Sequence, residues 1–157
     1  MISADKARRI KAVILDIDGV LTDGRVGYGG NELIKFFHYR DGHWLKLALR
    51  AGLIVGLLSG RESRANRERA TELGLTFVRE NIHDKLVEFE KLLTEYDLTP
   101  EECLYIGDTG TDMKTGKNAG LYTVGVLWGF RGKAELLESG ADMIIEKPQQ
   151  LLDCVTK

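Results

Sequence analysis

Asp16 and Asp18 stand two positions apart, followed by Gly19, and offer two carboxylates with different possible jobs. One could attack phosphorus and form an aspartyl-phosphate, while the other, two residues on, could protonate the leaving oxygen and then activate water. Alone, an Asp-x-Asp-Gly segment is a weak signal, because acidic residues beside glycine are common in turns. Ser59, Lys85 and the pair Asp108 and Asp112 strengthen it. Oxygen ligands from Asp16 and Asp108, with a backbone carbonyl and waters, suit hard octahedral Mg2+ better than zinc, since no thiol or imidazole is placed with them. The hydroxyl of Ser59 and the fixed cation of Lys85 match the need to hold the equatorial oxygens of a transferring phosphoryl group.

For these groups to meet, the fold must gather residues up to 96 positions apart. Residues 12–17 form a short apolar, β-branched run that stops at acidic residues, which reads as a buried strand. Further strands are predicted at 53–58, 77–78, 104–106, 122–126 and 143–145. Helices are predicted between them: one capped by Asp41 and ended at Gly52, with Trp44, Leu45, Ala48 and Leu49 on one face, then 62–73, 84–96, 111–119, 133–139 and 149–154. Segments 25–28 and 32–39 flank Gly29-Gly30-Asn31, a turn sequence suited to positive φ, and read as a β-hairpin over 25–39. Regular strand–helix alternation with nearly all-apolar strands implies a Rossmann-like, doubly wound parallel sheet with helices on both faces and a protruding hairpin. In such a sheet ligands bind at the strands' C-terminal ends, where all four polar clusters fall.

The composition excludes several other classes. The 157 residues fit one domain spanning 1–157, with 43% hydrophobic and 29% charged residues, as in a folded protein. A formal net charge of −2 leaves no electrostatic footprint for nucleic acid or an anionic membrane. Cys103 and Cys154 lack the spacing of a disulfide framework or a zinc site and read as buried small hydrophobes. No apolar run has the length of a secretory signal or a membrane span, so a cytoplasmic protein is expected.

The ordered clusters resemble the haloacid dehalogenase superfamily of phosphohydrolases. The matching stretches are Asp16-Ile17-Asp18-Gly19-Val20-Leu21-Thr22-Asp23, Ser59-Gly60-Arg61, Lys85, and Gly107-Asp108-Thr109-Gly110-Thr111-Asp112. The resemblance implies Asp16 as nucleophile, Asp18 as general acid and base, and Ser59 and Lys85 as phosphate ligands. It also implies Mg2+ held by Asp16, Asp108 and the carbonyl of Asp18, with Asp112 supporting the metal or Lys85. The first half is most similar to the capless octulosonate 8-phosphate phosphatases, through Asp18-Gly-Val-Leu-Thr-Asp-Gly24, the hairpin, and Arg40-Asp41-Gly42. That subgroup implies a sugar-acid phosphate substrate, no cap domain and a homotetramer in which neighbours help close each site. The second half, Gly107–Gly120 followed by Val124–Phe130, is more similar to phosphoglycolate phosphatases, so phosphoglycolate competes as a substrate, and nine-carbon sugar-acid 9-phosphates are a further alternative.

Outside the enzymes, a receiver-like phospho-acceptor domain shares Asp, Ser or Thr, Lys and Mg2+ on an α/β sheet. Asp18 separates the two, because a general acid and base beside the nucleophile promotes turnover, whereas a signal must persist. Candidate partners for the substrate's anionic groups are Gly60 and Arg61 in the loop after the second strand, Arg40, Arg64 and Arg131 elsewhere, and His43 beside Arg40-Asp41-Gly42. Trp44 reads as core or interface, Trp128–Arg131 as a loop at the site's edge, Asp23 as a turn residue, and the alternating charges of 62–69 as a wet helix face. Val26, Tyr28, Leu33, Ile34, Phe36 and Phe37 give the hairpin more apolar surface than an isolated hairpin can cover, and a partner surface is expected there.

Overall fold

The computed structural model describes residues 2–154, with side chains through Leu152. The expected burial of the Cys154 side chain, and the outermost ends of the 1–157 span, lie outside the described residues. In chain order the elements are α1 (Ala4–Arg9), β1 (Ala12–Leu15), β2 (Gly27–Gly29), β3 (Glu32–Ile34), α2 (Tyr39–Arg50), β4 (Ile54–Leu58), α3 (Arg64–Leu73), β5 (Phe77–Arg79), α4 (Lys85–Glu95), β6 (Cys103–Gly107), α5 (Gly110–Asn118), β7 (Tyr122–Val126), α6 (Lys133–Glu138) and β8 (Met143–Ile145). Short 3-10 turns occupy Pro100–Glu102 and Pro148–Cys154.

β1 and β6 are buried at every position, as strands covered on both faces must be. They lie side by side in a six-stranded sheet of order β5-β4-β1-β6-β7-β8, all pairs parallel. Alternate residues of β1 feed the two faces. Val13 and Leu15 pack with Leu45 of α2, Ala70 and Leu73 of α3, Val55, Leu57 and Ile106. Ala12 and Ile14 pack with Phe77, Phe89 and Leu92 of α4, and Tyr105. Each such large apolar side chain contributes roughly 1.5–3 kcal/mol by leaving water, and this drives the two layers onto the sheet.

The strand order also places the site. From β1 the chain winds outward through β4 and β5, then returns to the other side of β1 at β6, which opens a crevice past the C-terminal ends of β1 and β6. Leu15 pairs with both Leu57 and Ile106, and the next amide, Asp16 N–H, donates to Ile106 O at 2.9 Å. Asp16 therefore stands beside Gly107 and Asp108, and Ser59 stands one residue past the end of β4.

Several elements differ from the sequence expectation. The N-terminal segment forms α1, capped by the Ser3 side chain, because buried Ala7 anchors an otherwise charged turn. Helix α2 starts at Tyr39 with His38 as its cap, accepting from Arg40 N–H, while Asp41 sits in the first turn. The hairpin strands are only three residues each, and beyond them a single bridge joins Phe37 to Thr22. Residues 148–154 wind as a 3-10 turn in place of an α-helix. Between β1 and β4 the chain holds only the hairpin and α2, with no cap. Among the described residues no helix is long and apolar enough to cross a membrane.

Candidate active site

Lys85 is the hub. It opens α4, whose cap Asp84 accepts from the amides of Leu86 and Val87, so the side chain leaves the first turn toward the β1 and β6 ends. Its Nζ lies 3.1 Å from Asp16 Oδ1, 2.8 Å from Asp112 Oδ1 and 2.8 Å from the Tyr105 hydroxyl. The Tyr105 hydroxyl in turn donates to Asp112 Oδ1 at 2.7 Å. The other Asp112 oxygen accepts from the Thr109 hydroxyl at 2.6 Å and from Thr109 N–H at 3.2 Å, closing a capping box at the start of α5. All of its acceptor capacity is directed inward, and Asp112 is fixed in one pose.

Asp108 follows β6 and accepts at Oδ2 from Phe130 N–H, 2.9 Å away, in the loop after β7. Carboxylate oxygens of Asp16, Asp108 and Asp112 lie within 4.8 Å of one another. Glycines permit this crowding, Gly19 and Gly129 against Asp108 and Gly107 against Asp112. Gly19 has φ +88°, and a Cβ there would sit 2.0 Å from Asp108 Oδ2; a Cβ on Gly107 would sit 2.4 Å from Asp112 Cβ.

The charges respond to this packing. Burial pushes the Asp16 carboxyl up to about 7; Lys85 opposes the rise, and Asp112 and Asp108 add to it. Burial raises Asp108 as well, against the restraining hydrogen bond from Phe130. For Asp112, burial acts upward but Lys85, Thr109 and Tyr105 together hold it below the ordinary carboxylate value. Burial would lower the Lys85 ammonium, yet the Asp16 and Asp112 charges outweigh it and keep the lysine above its ordinary value. Burial and the neighbouring carboxylates hold the Tyr105 phenol well above its usual range, so it remains a donor.

These groups border a cavity of about 600 Å³ that also reaches Asp18, Ser59, Gly60 and Arg61. Ser59 is 2% exposed; its N–H donates to Arg79 O and its Oγ accepts from Arg61 N–H at 3.1 Å. The Asp18 carboxylate stands apart from the three-carboxylate cluster and is instead paired with Lys35. Two expected substrate contacts lie elsewhere. Arg40 borders a separate cavity of about 570 Å³ behind the hairpin, and His43 is exposed on α2, edge-on to Trp44. Both stand exposed in the first turns of α2. Arg64 pairs with Glu32 and Glu68, and Arg131 lies 3.6 Å from Glu135. Asp23 binds Arg25 within its turn, and Trp128 Nε1 donates to Val20 O, so both hold the loop after β1 in shape.

Sequence reasoning did not single out Lys35 or Tyr105, and took Thr109 only as part of a motif. Tyr105 sits mid-strand among Leu104 and Ile106 and carries the signature of a core residue. Lys35 did carry a signal. It is the one charged position in the alternation Leu33, Lys35, Phe37, whose side chains face inward while Ile34 and Phe36 are exposed.

A family described as haloacid dehalogenase-like hydrolase matches residues 43–120, and a second, of the same hydrolase type, matches 87–155. The cobalt-bound deoxy-D-mannose-octulosonate 8-phosphate phosphatase of Haemophilus influenzae superposes with a TM-score of 0.81 at 30% identity, covering 95% of this chain and 91% of that one. The chain belongs to the haloacid dehalogenase-like hydrolases. Within them it resembles the octulosonate 8-phosphate phosphatases. The Moraxella catarrhalis enzyme, solved with a magnesium ion, a phosphate ion and a KDO molecule, gives a TM-score of 0.82 at 27% identity over 96% of this chain and 90% of that one. The Escherichia coli K12 3-deoxy-D-manno-octulosonate 8-phosphate phosphatase is 36% identical over 124 residues, which is 76% of this chain and 66% of the relative's length. As a haloacid dehalogenase-like hydrolase the chain shares the Rossmann-like parallel sheet of these structures.

Proposed function

We propose that this hydrolase is a Mg2+-dependent phosphomonoesterase that works through an aspartyl-phosphate on Asp16 and acts on a sugar-acid phosphate, 3-deoxy-D-manno-octulosonate 8-phosphate. The observation that carries the reading is the meeting of Asp16, Lys85, Asp108 and Asp112 in one cavity with Ser59. The donor set fits a hard divalent cation, since three carboxylate oxygens crowd together and a single ammonium reaches only two of those residues. Asp16 and Asp108, with the backbone carbonyl of Asp18, would hold the ion, which when bound supplies positive charge to a phosphoryl oxygen and to the clustered carboxylates, while Asp112 supports Lys85.

The residues of the chain then divide the work. The Asp16 carboxylate attacks phosphorus, a new Asp16–phosphorus bond forms, and the bond to the sugar oxygen breaks. Asp18 gives its proton to that oxygen, so the sugar leaves as an alcohol. Asp18, now a carboxylate, takes a proton from water as the water oxygen attacks phosphorus. The Asp16–phosphorus bond breaks, inorganic phosphate departs, and both carboxyl groups return to their starting state. The Ser59 hydroxyl and the Lys85 ammonium hold the phosphoryl oxygens in line throughout.

The named relatives support the sugar-acid substrate. Exposed Tyr28 and Phe36 on the hairpin support assembly into a homotetramer, in which a neighbour completes the mouth of each site. A phosphate-release panel ranked by kcat/KM tests the proposal, with octulosonate 8-phosphate, nine-carbon sugar-acid 9-phosphates, phosphoglycolate and an aryl phosphate as substrates. The octulosonate ester should lead, and Asp16→Asn should abolish turnover on all of them. Retained turnover in Asp16→Asn defeats the mechanism, and a wild-type phosphoprotein that persists for hours would make the chain a phospho-acceptor.

A further inference from the structure

We infer that Lys35 is a positioning residue for departure of the leaving group: from the hairpin it orients the Asp18 carboxyl at the cavity, so that seating the hairpin is what places the acid. The inference rests on the phosphatase reading above and adds a residue to it. Lys35 Nζ lies 2.8 Å and 3.0 Å from the two Asp18 carboxylate oxygens. Its side chain is 3% exposed, whereas that of Asp18 is 34% exposed on the cavity side. An ammonium buried to that depth needs a partner, and the Asp18 carboxylate is the partner it has.

The surrounding backbone shows why Asp18 needs such help. The loop after β1 is tightly wound: the amides of Val20, Leu21 and Thr22 all donate to Ile17 O, and Thr22 Oγ1 accepts from Gly19 and Gly24. These bonds fix the main chain at Asp18 and leave its side-chain torsions free. Among the described residues, Lys35 makes the hydrogen bonds that fix the carboxyl itself. Lys35 is in turn located by its strand. Phe37, two residues on and facing the same way, bridges to Thr22 and packs on the core, so Lys35 is brought against the loop at a set register.

The hairpin's tip reaches the body through the exposed Glu32–Arg64 ion pair, a contact of small energetic weight. Lys35 is therefore the point at which the hairpin's position is transmitted to a reacting group. An apolar residue at this inward position would seat the hairpin equally well. A lysine bonded to both oxygens of the acid does more, because it also selects one rotamer of Asp18.

The experiment compares leaving groups. A phenolate departs without protonation, whereas a sugar alkoxide needs the Asp18 proton, so a residue that acts through Asp18 must separate the two esters. Lys35→Met keeps the length and apolar stem of the side chain. With Mg2+ present, the single-turnover rate of leaving-group release from a primary sugar phosphate should fall about tenfold or more, while that from p-nitrophenyl phosphate should change less than about threefold; this step precedes the water activation by Asp18 that both esters share. Adding Asp18→Asn to Lys35→Met should lower the sugar-phosphate rate no further than Asp18→Asn does alone. Lys35→Arg, which preserves charge and donors, should recover most of the sugar-phosphate rate. Equal losses on the two esters, or fully multiplied losses in the double variant, overturn the assignment. If circular dichroism shows that Lys35→Met does not fold, the ester ratio of Lys35→Gln decides by the same criterion. A wild-type protein inert toward both esters removes the phosphatase reading and this inference with it, whereas an active enzyme with an unchanged ester ratio in the variants removes the inference alone.

Discussion

Asp16→Asn should stabilise the metal-free protein, and the gain should depend on pH in a direction set by the site. The carboxyl is pushed up to about 7 from an ordinary 3.8, with burial as the largest cause. The folded protein thus binds this proton more tightly than the unfolded chain. Because the folded pKa is the raised one, stability contributed by this group falls as pH climbs from about 4 to about 7 and stays at its minimum above that. A shift of roughly three units corresponds to at most ~4 kcal/mol at 1.36 kcal/mol per unit. Asparagine keeps the shape and discards the charge, so it recovers part of this energy above pH 7 and roughly a third as much at pH 5. For a chain of this size the ceiling is a rise of about 12 °C in Tm. The assay is thermal unfolding with a chelator at pH 8 and pH 5, repeated with excess Mg2+. Wild type should gain from Mg2+ at pH 8 while Asp16→Asn gains little, since the ion binds the ionised carboxylate. Equal Tm values for the two proteins at pH 8 without metal, or a gap unchanged at pH 5, would refute the claim that burial and like charge dominate at Asp16.

Lys85→Met removes the ammonium shared by Asp16, Asp112 and Tyr105, and urea unfolding at pH 8 should show a loss of about 3–5 kcal/mol, as when a buried pair loses one partner. The loss should shrink at pH 5, where Asp16 is protonated; an equal loss at both pH values counts against the hub role. Gly19→Ala places a methyl 2.0 Å from Asp108 Oδ2 at a residue with φ +88°. Its Mg2+ affinity, read by titration calorimetry, should weaken about 10- to 100-fold. Native affinity in that variant would show that Asp108 does not help to bind the ion.

The strand ends were legible because they are local. An apolar, β-branched run that stops at a polar residue marks where a strand leaves the core, and Asp16, Ser59 and Asp108 each stand at such a stop. Lys85 was legible for a related reason, as the basic residue that follows the short strand predicted at 77–78. The hairpin was foreseen from its glycine turn, with strands shorter than expected, and α1 was missed because a six-residue charged turn carries little periodicity.

What the sequence determined by itself was the alternation of buried strands and amphipathic helices, and with it the edge of the sheet on which the polar residues collect. That follows from burial and helix capping, which act over a few residues. Which side chains face one another across that edge was decided only by tertiary structure. Tyr105 became a partner of Lys85 because one face of β6 meets the first turn of α4. Lys35 became the partner of Asp18 because the bridge between Thr22 and Phe37 sets the hairpin's register against the loop. Arg40 and His43 stand exposed on the helix that begins at Tyr39, and Arg40 borders a different cavity. In each case a shift of one residue in a strand or helix would turn the side chain elsewhere, and that register is chosen by packing between segments distant in the chain.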